Sequence, residues 1–300
     1  MSEPRLIGLD WGTTSCRAYL IGADGAVLDR RLEGPGILKA EGHFGPWLDS
    51  MIGGWIATHG AAPLILSGMI GSRQGWKEAP YAKCPAGADD IVKALARIEW
   101  SELVIALVPG LSTENDAMPD VMRGEETQIL GALALSGHDS GLFLLPGTHS
   151  KWAEVVGGRI VSFRTFVTGE VYGALKDHTI LGRLMKEGAD PEAFARGVRE
   201  GAALGSAGAL LNHVFATRTY GLMERLPATA LSDYLSGLLI GAEVAEATGQ
   251  TKRTATIVAT RALAERYYTT LQFFGHEVAF APEDCVAAGH WRIAQAAGLV

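Results

Sequence analysis

The sequence predicts an α/β protein of two domains, each a mixed sheet with flanking helices, with a cleft between them. Three observations carry this reading. The first third alternates apolar runs and helical spacing in the order β-β-β-α-β-α-β. A second three-strand meander aligns with the first at an offset of 135, with Gly12-Thr13 falling on Gly147-Thr148 and Ser15 on Ser150. At 300 residues and 48% hydrophobic composition, the chain can bury a large core and is long enough for two domains.

Residues 5–33 read as three short strands, with turns at Gly12-Thr13-Thr14 and Ala23-Asp24-Gly25; Asp-Gly between β-rich runs signals a hairpin. From 43 to 58 the pattern becomes helical, with Phe44, Trp47, Leu48, Met51, Ile52, Trp55 and Ile56 on one face. The apolar runs 63–68 and 102–110 end in glycine, as buried strands do, with a helical stretch near 89–98 between them. Residues 122–136 are helical, 141–170 give strand, turn, strand, tight turn, strand, and the chain is then mostly helical to about 250. A strand (255–259), a helix (261–274), a strand (277–280) and a helix (284–297) follow. No low-complexity linker separates the halves; the expected domains are 1–115 and 116–300.

The net charge of −7 argues against a general polyanion-binding surface and so against nucleic acid, because that affinity comes from lysine and arginine neutralising phosphates. Three widely spaced cysteines without a CxxC pair suit a reducing cytoplasm. Neither a basic start with a long apolar stretch nor a bilayer-length apolar run is present, so a soluble cytoplasmic protein without a membrane partner is expected.

The repeated turns carry the chemistry. Glycine followed by hydroxyl residues lets backbone N–H groups approach a phosphate, and Thr or Ser side chains add donors. Thr13, Thr14 and Ser15 make one such turn; Thr148, His149 and Ser150 make the other. Two such hairpins can hold the β- and γ-phosphates of one nucleotide. Asp10, at the first turn, suits Mg²⁺, which uses one or two carboxylates together with phosphate oxygens and water. Either turn alone requires only that Asp, Gly and Thr close a β-turn; the pair points to phosphate. No Walker A or GxGxxG pattern is present.

Phosphoryl transfer to an alcohol needs a residue to orient the hydroxyl and take its proton. Glu125 and Glu126 open the helix ahead of the second meander. One is accounted for as a helix-dipole partner and the other is the candidate base, with the choice left open. Arg73 lies in a Gly- and Ser-rich loop, 67–86, long enough to be functional, and Arg123 precedes the two glutamates. A guanidinium there can hold a carboxylate or phosphate bidentately. Trp76 and Tyr81 in the same loop form either ligand walls or the loop's own small core.

"LIGLDWGTTSCRAYLI" and "LFLLPGTHSKWAEV" resemble the two phosphate motifs of the actin, Hsp70 and sugar kinase superfamily. With "GMIGSRQGWKEAPY", "CPAG", "VPGL", "PDVMRGEETQILGAL" and "TGEVYGALKDHTIL" they resemble, from residue 6 to about 181, the 2-dehydro-3-deoxygalactonokinase family. The resemblance implies two ribonuclease H-like domains, each with a five-stranded mixed sheet. It also implies ATP- and Mg²⁺-dependent phosphorylation of the 6-hydroxyl of 2-dehydro-3-deoxy-D-galactonate in galactonate catabolism. Asp10 would serve Mg²⁺ through water, while Gly12, Thr13, Thr14, Gly147 and Thr148 would hold phosphate. Glu125 would stand where related sugar kinases carry an aspartate base. A sugar acid needs cationic donors at its carboxylate end, a role for Arg73, Arg123 and Lys151. The adenosine motif departs from the superfamily pattern: "TIVATRALAERYYTTLQFFG" has no glycine pair, leaving Thr260 and Arg261 as candidates, and Gly237 and Gly241 read as helix-packing glycines before they read as nucleotide ligands. Competing readings are a kinase of neutral or amino sugars, an actin-like ATPase, and a phosphate ester hydrolase of the same superfamily. A homodimer is expected as the common state of small metabolic enzymes.

Overall fold

The computed structural model describes residues 3–116, 118–249, 252–282 and 284–300. The opening meander forms as its apolar runs and turns predict: β1 (Pro4–Trp11), β2 (Ser15–Gly22) and β3 (Val27–Pro35) pair antiparallel, with Asp10 opposite Arg17. One turn of helix, α1 (Ile37–Ala40), leads to α2 (Phe44–His59). Helix α2 lays Leu48, Met51, Ile52 and Trp55 into a core with Ile7, Leu9 and Trp11. Strand β4 (Leu64–Ser67) joins β1 in parallel and sets Ser67 beside Asp10.

Next come β5 (Tyr81–Lys83), α3 (Ala88–Lys93), β6 (Ala96–Trp100), β7 (Leu103–Leu107), β8 (Gly110–Asn115), β9 (Met118–Met122) and α4 (Glu125–Ser136). The first sheet has the order β3-β2-β1-β4-β7-β6, six strands rather than five. The helical stretch expected to 98 ends at Lys93, because Ile98 alternates with exposed Arg97 and Glu99 and "ARIEW" pairs antiparallel with β7. A small sheet, β5-β8-β9, precedes α4. Its β8–β9 hairpin pairs Leu111 with Met122 and Asn115 with Met118, so the expected boundary at 115/116 falls where two paired strands join.

The second meander comprises β10 (Gly141–Leu145), β11 (Ser150–Val156) and β12 (Arg159–Phe166). Helices α5 (Thr168–His178), α6 (Pro191–Ala202), α7 (Ala207–Leu222) and α8 (Leu231–Thr248) follow, then β13 (Thr254–Ile257), α9 (Arg261–Phe273), β14 (Glu277–Phe280) and α10 (Cys285–Ala296). The second sheet runs β12-β11-β10-β13-β14, with β10, β13 and β14 parallel. Its order matches β3-β2-β1-β4-β7 strand for strand, which is the internal repeat seen in the sequence.

The chain divides into two compact units, Met1–Gly141 with Ala153–Phe163 and Ala281–Val300, and Leu142–Trp152 with Arg164–Phe280. In the second, Leu144, Trp152, Val198, Ile240, Ile257 and Tyr267 share a core. There α6 and α8 cross so closely that a Cβ at Gly237 or Gly241 would overlap the backbone of Phe194 or Val198. These two glycines are packing residues, the reading that the sequence favoured for them. No described helix is long and apolar enough to cross a membrane.

Candidate active site

In the first unit three chain segments meet at the Asp10 carboxylate. Asp10 ends the ladder between β1 and β4, Gly68 follows β4, and Gly124 precedes α4. A Cβ on Gly68 would stand 3.1 Å from Asp10 Oδ1, and one on Gly124 3.2 Å from the Gly68 Cα. Both glycines have positive φ, 90° and 104°, a region other residues enter only with strain. Asp10 is half-buried, and desolvation raises its pKa to about 6; Arg17 lowers it and the neighbouring Glu125 charge raises it further.

Beside Asp10 the Gly12 turn is closed by Gly12 N–H donating to Ser15 O at 2.9 Å, and α1 donates from Ile37 N–H to Gly12 O at 3.0 Å. Thr13 and Thr14 are exposed at its tip. The turn is therefore rigid behind and open in front.

The two glutamates of α4 have separated environments. Glu125 is half-buried, near Asp10, and accepts the Arg123 backbone N–H at 2.9 Å. Glu126 is fully buried; its Oε2 accepts Gly124 N–H at 2.7 Å and its Oε1 accepts the Thr127 hydroxyl at 3.0 Å. Burial, then the Glu125 charge, push its pKa up to about 8, against the pull of those donors. Of the two, Glu125 is the one a substrate can reach.

The arginines also diverge. Arg73 is exposed and paired with Glu78 at 2.9 Å. Arg123 is 9% exposed, donates from Nη2 to Ala79 O at 2.8 Å, and lies over the Tyr81 ring at 4.4 Å, while its Nε and Nη1 are buried without partners. It ties the 67–86 loop to the start of α4. Trp76, half-buried, stacks on Phe44 of α2, 6.0 Å between centroids, and packs against the core of the first unit.

In the second unit, Gly147 is half-buried and Thr148 and His149 are exposed, with His149 Nε2 2.8 Å from Glu170. Helix α5 abuts this turn: Glu170 N–H donates to Thr148 O at 2.9 Å. Ser150 and Lys151 depart from the sequence reading. Strand alternation turns Ser150 inward, fully buried, with Oγ 2.9 Å from the Tyr267 hydroxyl. Lys151 is 6% exposed and donates to Thr165 Oγ1 at 2.7 Å. A pocket of about 230 Å³ opens beside Gly147, lined also by Thr168, Ser236, Leu263, Arg266 and Tyr267. Thr260 supplies the N-cap backbone of α9, and Arg261 points outward to Glu265.

Sequence reading missed Glu243 and Tyr267, which stand behind the second turn, and His290, which stands behind Asp10. Glu243 carried a signal, a lone acid in the apolar run "LLIGAEVA"; the other two had none.

Among the described residues no group of three or more His, Cys, Asp or Glu forms a metal cluster. One or two carboxylates beside a phosphate turn nevertheless fit Mg²⁺, which completes its shell with water and phosphate oxygens.

Two sheets of one strand order, each opened by a Gly-Thr hairpin, define the class of two-domain actin-like ATPases and sugar kinases. The fold is shared at TM-score 0.53 and 10% identity with the activator of 2-hydroxyisocaproyl-CoA dehydratase from Clostridium difficile, a structure with bound ADPNP, covering 99% of this chain and 96% of that one. More specifically, residues 10–293 match the 2-keto-3-deoxy-galactonokinase family, and the chain belongs to it. It is 35% identical to the 2-dehydro-3-deoxygalactonokinase of Escherichia coli over 97% of this chain and 98% of that protein. It is 40% identical to the protein named "Probable 2-dehydro-3-deoxygalactonokinase" of Rhizobium meliloti over 80% and 79%. A crystal structure of a candidate 2-dehydro-3-deoxygalactonokinase from Sinorhizobium meliloti superposes at TM-score 0.86, with 35% identity over 97% of this chain and 98% of that one.

Proposed function

We propose that this protein transfers the γ-phosphoryl group of ATP to the terminal 6-hydroxyl of 2-dehydro-3-deoxy-D-galactonate, giving the 6-phosphate and ADP. Within a chain of this family, the observation that carries the reading is the convergence of Asp10 and Glu125 beside the open Gly12–Thr14 turn. Glu125 is the base: its half-buried carboxylate takes the proton as the 6-oxygen bonds to the γ-phosphorus. The bond from that phosphorus to the bridging oxygen breaks and ADP leaves. Asp10 would hold Mg²⁺ through water, and the ion, when bound, neutralises charge on the phosphates. Gly12, Thr13 and Thr14 hold phosphate in the first unit, and Gly147 and Thr148 in the second. His149, paired with Glu170, braces that second turn. The nucleoside takes the pocket beside Gly147. Arg73, exposed on its loop, meets the substrate carboxylate, and Arg123 fixes the loop that carries it. The enzyme works in the cytoplasm as a homodimer, its three cysteines free as thiols.

The test is ADP release, coupled to NADH oxidation, with ATP, Mg²⁺ and the sugar acid, beside neutral hexoses and an assay without acceptor. Sugar-acid-dependent ADP release that falls about 10²–10⁴-fold in Glu125→Gln is the expected result. Preference for an uncharged hexose would replace the substrate reading with the neutral-sugar one. Acceptor-independent release would replace it with an ATPase or hydrolase.

A further inference from the structure

Behind the second turn, four elements of the second unit converge on one carboxylate. Glu243, on α8, is 3% exposed. Its Oε1 accepts Trp152 Nε1–H from β11 at 2.8 Å and its Oε2 accepts the Tyr267 hydroxyl from α9 at 2.7 Å. Ser150 and Thr168, at the starts of β11 and α5, also hydrogen-bond to it.

Directionality follows from the donors. An indole N–H only donates, so Glu243 Oε1 must accept. With the Tyr267 proton committed to Oε2, the Tyr267 oxygen is left to accept from Ser150 Oγ, 2.9 Å away. The Ser150 proton therefore points into the interior, whether to Tyr267 or to Glu243, and not toward a phosphate. A buried carboxylate persists only when its hydrogen-bonding capacity is filled, and here it is. Glu243 thereby ties the strand leaving the second turn to α8 and α9, and through Thr168 to α5, whose next residues abut Gly147 and Thr148. Tyr267, Thr168 and Gly147 line one pocket, so a displacement at Glu243 reaches the space assigned to the nucleotide.

We infer that Glu243 is a positioning residue for the nucleotide: through Tyr267, Ser150 and Thr168 it sets the Gly147–Thr148 turn in phosphate-binding geometry. This rests on the kinase reading above. Tyr267→Phe keeps the ring and removes the hydroxyl that relays Ser150 to Glu243, leaving only the direct Ser150–Glu243 hydrogen bond. Its KM for ATP, and its Kd for a non-hydrolysable ATP analogue measured by calorimetry, are expected to rise about fivefold or more, the loss of one buried hydrogen bond. KM for the sugar acid is expected to stay within about twofold. Glu243→Gln can rebuild the chain with its donors reversed and is expected to restore part of the affinity that Glu243→Ala loses.

The proposal is overturned if Tyr267→Phe binds the analogue as the unaltered protein does, or if both substrates weaken together. Should the Glu243 variants fail to fold, Tyr267→Phe decides alone. If the unaltered protein neither binds nor turns over ATP, the kinase reading itself fails, and the inference with it. That outcome is read before any variant is made.

Discussion

His290 and Ser67 share a hydrogen bond, Nε2 to Oγ at 2.8 Å, in the interior of the first unit. The imidazole lies over Gly8, where a Cβ would stand 2.5 Å from Nδ1, and burial pushes its pKa down to about 3. An unfolded histidine protonates near 6.5. The stability contributed by neutral His290 is therefore complete above 6.5 and lost as the pH falls toward about 3. Urea unfolding of His290→Asn and the unaltered protein at pH 4.5 and 7 should show the variant losing less stability on acidification, by about 1.4 kcal/mol per pH unit. Parallel slopes would remove His290 from the account.

Glu126 has the opposite sign. Its pKa is raised to about 8, so its contribution is present below the unfolded value of 4.5 and is lost as the pH rises through about 8. Glu126→Gln should gain on the unaltered protein between those limits, read from the same unfolding curves. Its turnover should exceed that of Glu125→Gln by at least about tenfold, because Glu125 is the base of the proposed reaction.

The arginines should separate by readout. Arg73→Ala should raise KM for the sugar acid about tenfold, the loss of a charged hydrogen bond, without altering thermal stability. Arg123→Met should leave the loop 67–86 more open to limited proteolysis, because the tie to Ala79 O is gone. Equal proteolysis rates in the Arg123 variant and the unaltered protein would count against that tie.

Helices α4 and α10 cross at Gly131, where a Cβ would overlap the Cys285 carbonyl. Gly131→Ala should lower stability by about 1–3 kcal/mol, as overpacking does. Gly173→Ala, in an open stretch of α5, should be neutral or raise it by about 0.5–1 kcal/mol. Melting temperatures of the two variants provide the comparison.

Much of this fold was legible because two signals are strong. Short apolar runs broken by turn residues marked β1 to β3, and the helical spacing from Phe44 to Ile56 marked α2. The short strands β5, β8 and β9 were not legible, because β5 pairs non-locally with β8 and "MPDVM", which pairs with β8 in a hairpin, lacks alternation. At the candidate site, Asp10 and the two glycine turns announce themselves as polar breaks between apolar runs. What the sequence hid was facing: Ser150 and Thr148 are both hydroxyls in one motif, and only the start of β11 between them turns one inward. Glu125 and Glu126 differ in the same way, by one step around α4. Tyr267 and Glu243 are 24 residues apart and meet only because α8 and α9 pack together.

The first unit includes α10, whose helix covers α4. On the ribosome, residues 1–141 emerge well before residues 281–300 exist. With roughly 140 residues between them and synthesis at about 5–20 residues per second, the nascent first unit waits about 7–28 s for its last helix. Over that interval the face of α4 around Thr127 and Gly131 has no cover from its own unit's final segment, while the intervening residues have time to fold. Synthesis order is thus inverted with respect to completion: the half begun first is finished last.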